Sequence, residues 1–132
     1  MANASNFLRT QIGKGYLNIL APSLPSTLHI ALFTDFQTAA DASVLEVTGG
    51  SYARKAISAS SFTDDLTGGF TLNTALEFVT ATASWGTILS MGIYDASVAG
   101  NLIVFDDLTT SKVIGSGDAF RFNSGSITVN IS

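Results

Sequence analysis

The residues of this chain that are able to do chemistry are few, and most of them are carboxylates. Four aspartates follow predicted strands in the second half of the chain: Asp95, Asp106, Asp107 and Asp118. Two facing carboxyls can hydrolyse a glycosidic bond, but aspartate is also an ordinary residue at turns. The single histidine, His29, and the lack of cysteine leave few pairs of nucleophile and base. We therefore predict a protein that is not an enzyme and that needs no cofactor or metal.

Two short motifs resemble ion-binding loops but lack the residues that such loops require. Asp64 and Asp65 lack the alternating oxygen ligands and the terminal glutamate of a calcium-binding loop. The glycine-rich stretch 115–118 (GSGD) is not followed by a helical pattern that would present amide groups to a phosphate. Both motifs are typical of solvated turns between strands.

The composition favours a protein that works by contact with other proteins. Charged residues make up 12% of the chain, about half of the usual ~25%. The net charge is −4 and no basic stripe is present, so we predict no nucleic-acid partner. No apolar run reaches the length that spans a bilayer, so we predict no membrane partner. A sparsely charged surface offers little electrostatic protection against association.

The first 25 residues read as a helix or arm that precedes the main domain. Residues 5–20 have helical periodicity, with Ser5 or Asn6 as the N-cap. Their apolar stripe includes the residues that we predict as candidate subunit contacts: Phe7, Leu8, Ile12 and Tyr16. Two interpretations stay open, since this stripe could cover one end of the chain's own domain or dock on another subunit.

Residues 26–132 read as one β domain. Polar residues alternate with Ile127, Val129 and Ile131, as expected for a strand with one solvent-exposed face. Short strands separated by glycine-rich turns are predicted at 26–34, 51–58, 70–79 (or two pieces broken near residue 73), 85–95, 101–105, 109–114, 119–122 and 126–132. This pattern predicts an all-β fold: an antiparallel β-sandwich of about eight strands, jelly-roll-like or Ig-like, with a short N-terminal helix or arm.

Three local predictions follow from the turn residues. Asp106 and Asp107 are expected to end the strand at 101–105. Residues 119–122 and 127–131 are expected to form a closing hairpin through 123–125. The stretch 35–50 is a loop longer than the usual connection, and loops of that length are often functional.

An ordered series of motifs resembles a family of small bacteriophage virion structural proteins that are often labelled phage tail fibre proteins. The motifs cover about three quarters of the chain: TLHIALFT (27–34), EVTGGSYARKAI (46–57), TATASWGTILSMGIYDA (80–96), GNLIVFDDLTTSKVIGSGDAFRF (100–122) and GSITVNI (125–131). The N-terminal segment and residues 35–46 match the family only loosely.

The resemblance implies a place in the phage particle, after assembly in the host cytoplasm. It favours a capsid decoration or cement protein that stabilises the head by bridging shell subunits. Its partners would then be the major capsid protein or other virion proteins, together with copies of itself. The alternative is a tail or tail-fibre component that acts in particle assembly or host attachment. If that component bound a surface glycan, exposed aromatic rings would be required, and Tyr52 and Tyr94 are the candidates.

Overall fold

The structure is a computed structural model that describes residues 2–17, 27–41, 45–64, 66 and 69–130. Helix α1 spans Asn6–Tyr16, and a short 3₁₀ helix spans Ala59–Ser61. The strands are β1 (Ala2–Ala4), β2 (Thr27–Phe33), β3 (Lys55–Ser58), β4 (Phe62–Asp64), β5 (Gly69–Leu72), β6 (Leu76–Glu77), β7 (Gly86–Tyr94), β8 (Leu102–Ile114), β9 (Arg121–Phe122) and β10 (Thr128–Asn130). The predicted all-β fold with a short N-terminal helix is confirmed.

Eight of these strands form one sheet in the order β3-β2-β7-β8-β1-β10-β5-β4. Neighbouring strands run antiparallel in this sheet, except that β1 and β10 run parallel. Strands β6 and β9 pair in a separate two-stranded sheet.

Strand β1 lies at the centre of the large sheet. Asn3 is opposite Phe105 of β8 on one side and opposite Asn130 of β10 on the other. Among the described residues, β1 is the strand through which the β3-β2-β7-β8 half is hydrogen-bonded to the β10-β5-β4 half. The predicted division into 1–25 and 26–132 stays a prediction, but the beginning of the first part is built into the sheet of the second.

The two halves of the large sheet enclose one hydrophobic core. Ile30 and Ile93 from the first half belong to the same buried cluster as Leu72 and Val129 from the second. The alternation of apolar and polar residues along each strand places these side chains on the inner face. The sheet therefore folds over on itself, and its two halves form the layers that the sequence pattern predicts.

The break predicted at Asp106 and Asp107 is wrong, because β8 continues from Leu102 to Ile114. The register is irregular just after these two aspartates. Asp107 is opposite Ser90 of β7, whereas Lys112 is opposite Ile88. The residues between these pairs, 108–111, bulge out of the ladder, and a bulge of this kind bends a strand without ending it.

The closing hairpin predicted from 119–122 and 127–131 is also wrong. Strand β9 pairs with β6, with Phe122 opposite Leu76. Strand β10 instead lies between β1 and β5, with Val129 opposite Phe70. The turn between the two strands moves the chain from the small sheet to the large one, so that β9 and β10 gain different partners.

Two other predicted strands are shorter than the patterns suggest. The strand predicted at 51–58 begins only at Lys55, because Tyr52 N donates to Gly49 O (2.9 Å) in a turn. The strand predicted at 70–79 is divided into β5 and β6, as the alternative prediction has it. Residues 18–20 of the predicted helix and 131–132 of the last predicted strand lie outside the described residues.

Ser5 is the residue that caps α1. Its Oγ accepts from Leu8 N (3.1 Å) and donates to the carbonyl oxygen of Leu102 in β8. The Ser5 side chain is buried, at 1% exposure. One hydroxyl thus begins the helix and fastens it to the sheet.

Replacement of Ser5 by alanine is expected to lower the free energy of unfolding by about 1–3 kcal/mol, since a cap is lost and a buried carbonyl loses its partner. Thr10→Ala is the matched control, because the Thr10 hydroxyl bonds Asn6 O (2.9 Å) at an exposed position. That variant should change the free energy by no more than about 0.5 kcal/mol. Denaturant unfolding of both variants measures the difference, and equal effects would show that Ser5 does not fasten the helix.

Candidate functional site

Arg54 is the centre of the main polar cluster in the described structure. Its Nε and Nη2 donate to the two carboxylate oxygens of Glu46 at 2.9 and 2.8 Å. Its Nη1 donates to the carbonyl oxygens of Ala96 (3.0 Å) and Ala99 (2.7 Å). The guanidinium carbon lies 4.0 Å from the centroid of the Tyr94 ring, within cation–π range. The side chain is 7% exposed, so Arg54 joins three separate chain segments at a buried point.

The charge of Arg54 is secured by its surroundings. Burial lowers the pKa of the guanidinium, but the hydrogen bonds to Glu46 and the negative charge of Glu46 raise it by more. The net pKa lies above the ordinary value. Arg54 therefore keeps its charge, and its two hydrogen bonds to the Glu46 carboxylate have the bidentate geometry that is strong for such an interaction.

Tyr52 extends this pair into the hydrophobic core. Its hydroxyl donates to Glu46 Oε2 (2.8 Å) and accepts from Leu32 N (3.0 Å). Its ring lies 5.3 Å from the Trp85 ring and 6.3 Å from the Phe78 ring. Burial raises the pKa of Tyr52, the Leu32 amide lowers it, and the charge of Glu46 raises it further. The hydroxyl accordingly stays protonated and serves as a hydrogen-bond donor.

A second network ties the loop after β2 to the sheet. Tyr94 Oη donates to Asp41 Oδ1 (2.5 Å), and Gln37 Nε2 donates to the same oxygen (2.8 Å). Ser90 Oγ accepts from Gln37 N (3.2 Å) and donates to Asp35 O (2.5 Å). Burial raises the pKa of Tyr94, and the hydrogen bond to Asp41 adds to the effect. Hydrogen bonds from side chains of β7 thus hold residues 35–41 against the sheet.

These networks join separate segments of the chain, so we call them structural clamps. The charged groups bond one another, and none of the buried side-chain nitrogen and oxygen atoms of the described residues lacks a partner. A shallow cavity of about 210 Å³ beside Arg54 is lined by the same paired groups, including Glu46 and Asp41. We find no group of three or more metal-ligating side chains in the described residues. In the same part of the chain, no helix is long and apolar enough to cross a bilayer.

The tyrosines considered as glycan contacts do not present their rings to solvent. Tyr94 is 4% exposed and Tyr52 is half-buried, with its ring against Phe78 and Trp85. The prediction that they form an exposed aromatic surface is wrong. The alternation along each strand did not reveal this, because both rings are covered by loops and by distant strands.

The predicted contact residues of the N-terminal helix divide into two groups. Phe7, Leu8 and Ile12 are half-buried, and Leu8 packs against the core. Tyr16 is 89% exposed. The beginning of the stripe therefore lies on the chain's own domain, while its end is open to solvent. Contact of these four residues with another subunit stays a prediction.

An apolar pocket that the sequence analysis missed lies where the two halves of the large sheet meet α1. Its volume is about 170 Å³. Its walls are aliphatic and aromatic, and they come from α1, β2, β4, β5, β7, β8 and β10: Leu8, Leu28, Phe62, Phe70, Ile93, Ile103, Val104 and Val129. No sequence signal marks this pocket, because its walls come from seven elements that are distant in the chain.

The Arg54–Glu46 pair, in contrast, had a local signal. The two residues flank the Gly49–Gly50 turn, which reverses the chain and brings opposite charges together. Gly50 also has no room for a side chain, since a Cβ there would lie 2.9 Å from Ala83 O. A charged pair across a glycine turn is a pattern that could have predicted the clamp.

The structure thus presents an all-β domain whose main polar clusters are bonded internally and whose apolar pocket is open to solvent. A comparison with models of protein families identifies one family. A model described as "Podophage GP4 fiber I protein gp80" matches residues 3–130. The chain belongs to this family, so it is a phage virion structural protein. A search of curated protein sequences found no match.

The family match also bears on two other predictions. A family of fibre and structural proteins suggests a role other than catalysis. It supports a location in the virion. The resemblance that the motifs indicated is thereby confirmed, and the match includes the N-terminal residues that those motifs did not cover.

Proposed function

We propose that this chain is a structural component of a phage fibre. The observation that carries the proposal is the family match, which covers residues 3–130 and whose description names a fibre protein. The hydrogen-bonded clamps around Arg54 and Tyr94 are consistent with a structural role. Arg54 bonds the connection between β7 and β8, and Tyr94 bonds the longer loop after β2, which favours a rigid module whose surface keeps its shape when neighbours bind.

A second candidate function is capsid decoration, in which the domain bridges neighbouring subunits of the major capsid protein. The specific observation that favours it is the open apolar end of α1, at Tyr16 and Leu17. A bridging domain adds its binding free energy to the joint, and that energy must be lost before the joint opens. Both candidates place the chain among virion proteins that assemble in the host cytoplasm, with copies of itself as neighbours.

Labelling of intact particles distinguishes the two candidates. Gold-labelled antibodies raised against the purified chain should bind on the fibres, and quantitative mass spectrometry should find far fewer copies of it than of the main shell protein. Antibodies against the shell protein serve as the positive control for the head. Label spread over the head at a copy number close to that of the shell protein would favour decoration, and unlabelled particles would contradict both candidates.

A further inference from the structure

The C-terminal end of α1 presents two adjacent apolar side chains to solvent. Tyr16 is 89% exposed and Leu17 is 73% exposed. Leu17 N donates to Gly13 O (2.9 Å), so the backbone of the last helical turn is hydrogen-bonded. Exposed apolar side chains that adjoin each other on an ordered element often mark a contact surface. We call this pair the knob.

The apolar pocket has the size and chemistry to receive such a side chain. Its volume is about 170 Å³, and an apolar cavity of about 150 Å³ binds a benzene ring. Ile93, Val104 and Val129 are buried at its floor. The remaining five wall residues are only partly buried, and they form an apolar rim open to solvent: Leu8, Leu28, Phe62, Phe70 and Ile103.

The knob of a chain cannot fill the pocket of the same chain while α1 keeps its form. Leu8 of α1 is part of the pocket wall. Tyr16 lies eight residues further along the helix, which corresponds to about 12 Å at 1.5 Å per residue. Neither Tyr16 nor Leu17 is among the residues that line the pocket. A knob that fills the pocket while α1 keeps its form therefore belongs to another copy of the chain.

The charges beside the two surfaces are complementary. Lys14 lies in the last turn of α1, three residues before Leu17, so these two side chains are neighbours on the helix surface. The acidic residues of the chain begin only at Asp35. Asp64 lies on the pocket side of β4, because it shares a strand face with Phe62 and is opposite Phe70. An approaching knob therefore brings a cation toward the Asp64 carboxylate beside the apolar rim, and such complementarity selects the orientation of a contact.

We propose that the knob of one copy inserts into the apolar pocket of the next copy. Knob and pocket are different surfaces of the same chain, so the contact is head-to-tail. A contact of this type repeats from copy to copy and builds an open filament unless its rotation closes a ring. This inference rests on the proposed function as a fibre component and adds the partner, which is a second copy of this chain.

Self-association of the purified full chain tests the contact. Sedimentation velocity over a concentration series up to about 1 mM, the range of weak contacts, should show species larger than a dimer. The double variant Tyr16→Ser with Leu17→Ser should weaken the association by at least about tenfold, because both anchors are lost. Val113→Ser is the matched control, since Val113 is 72% exposed in β8, away from both surfaces. A monomeric wild type, or equal association of knob and control variants, would overturn the proposal.

Cysteine cross-linking provides a second measurement, because the natural chain has no cysteine. The variant with Lys14→Cys and Asp64→Cys keeps both anchors of the knob and places a thiol at each of the two charged positions, so it should form a ladder of dimers, trimers and higher species on oxidation. Each single variant can form no disulfide-linked species beyond a dimer. Val98→Cys with Asp64→Cys is the control pair, since Val98 is 79% exposed in the loop before β8. A ladder from the control pair alone, or from neither pair, would overturn the head-to-tail contact.

These results are independent of the particle-labelling experiment. A chain that labels the fibres but stays monomeric in solution would refute the knob contact and leave the fibre assignment intact. A chain that assembles through the knob but labels the head would refute the fibre assignment and leave the contact between copies intact.

Discussion

Replacement of Arg54 by methionine is expected to lower the free energy of unfolding by about 3–5 kcal/mol. Methionine is an apolar side chain of similar shape, but it leaves the carboxylate of Glu46 without its cationic partner and, among the described residues, with only the Tyr52 hydroxyl still bonded to it. A buried charge that loses its counter-charge costs about this much. The carbonyl oxygens of Ala96 and Ala99 also lose their donor. Denaturant unfolding followed by tryptophan fluorescence measures the loss, since Trp85 is the single tryptophan.

The exposed ion pair Arg121–Glu77 provides the control. Its two charged groups are 3.6 Å apart, and both side chains are 55% exposed. Arg121→Met should change the free energy of unfolding by less than about 1 kcal/mol, because water replaces a surface partner. If Arg54→Met is no worse than Arg121→Met, Arg54 does not clamp the loops.

A double variant separates the effect of the paired charges from the effect of the side-chain shape. Arg54→Met with Glu46→Gln removes both charges. The double variant should therefore lose less free energy of unfolding than the sum of the losses in the two single variants. The difference between the sum and the measured value is the coupling energy of the pair. Additive losses would show that the two side chains stabilise the protein independently of each other.

Replacement of Phe78 by alanine is expected to have a comparable effect, again about 3–5 kcal/mol, because a large buried ring is removed and leaves a cavity. Phe78 is 3% exposed, and its ring centroid lies 5.9–6.4 Å from the rings of Tyr52, Trp85, Phe120 and Phe122. It is the side chain that all the other members of this aromatic cluster contact. Its loss should loosen the packing between the small sheet and the main core.

Val79 is the matched control for this variant, because it follows Phe78 directly and is 52% exposed. Val79→Ala should change the free energy of unfolding by no more than about 0.5 kcal/mol, since the removed methyl groups are half in water. Denaturant unfolding of both variants tests the expectation. Similar losses at the two positions would show that the aromatic cluster does not support the core.

Local sequence patterns determined which segments form strands and the helix. The alternation of Leu28, Ile30 and Leu32 with polar or small residues is a property of a few consecutive positions, and β2 forms there. The cap at Ser5 likewise depends on residues within one helical turn. The ordered motifs also identified the virion protein family, because a series of short matches carries information without any knowledge of contacts.

The tertiary structure alone decided which strands are neighbours. Ala2–Ala4 has no strand-like alternation, yet β1 links the two halves of the sheet because β8 and β10 present unpaired edges on either side of it. The bulge at 108–111 in β8 is likewise invisible in the sequence, where Asp106 and Asp107 look like the end of a strand. Backbone pairing depends on the edges that are available in space, and the side-chain pattern of a strand does not specify them.

The clamp and the pocket differ in the same way, because the clamp depends on local sequence and the pocket on distant parts of the chain. Glu46 and Arg54 are eight residues apart across a glycine turn, so their pairing depends on local chain reversal and is within reach of sequence analysis. The pocket joins Leu8 to Val129 through residues of seven elements. An apolar residue that covers a core and one that lines an open pocket have the same sequence signature, because burial depends on what the distant parts of the chain leave uncovered.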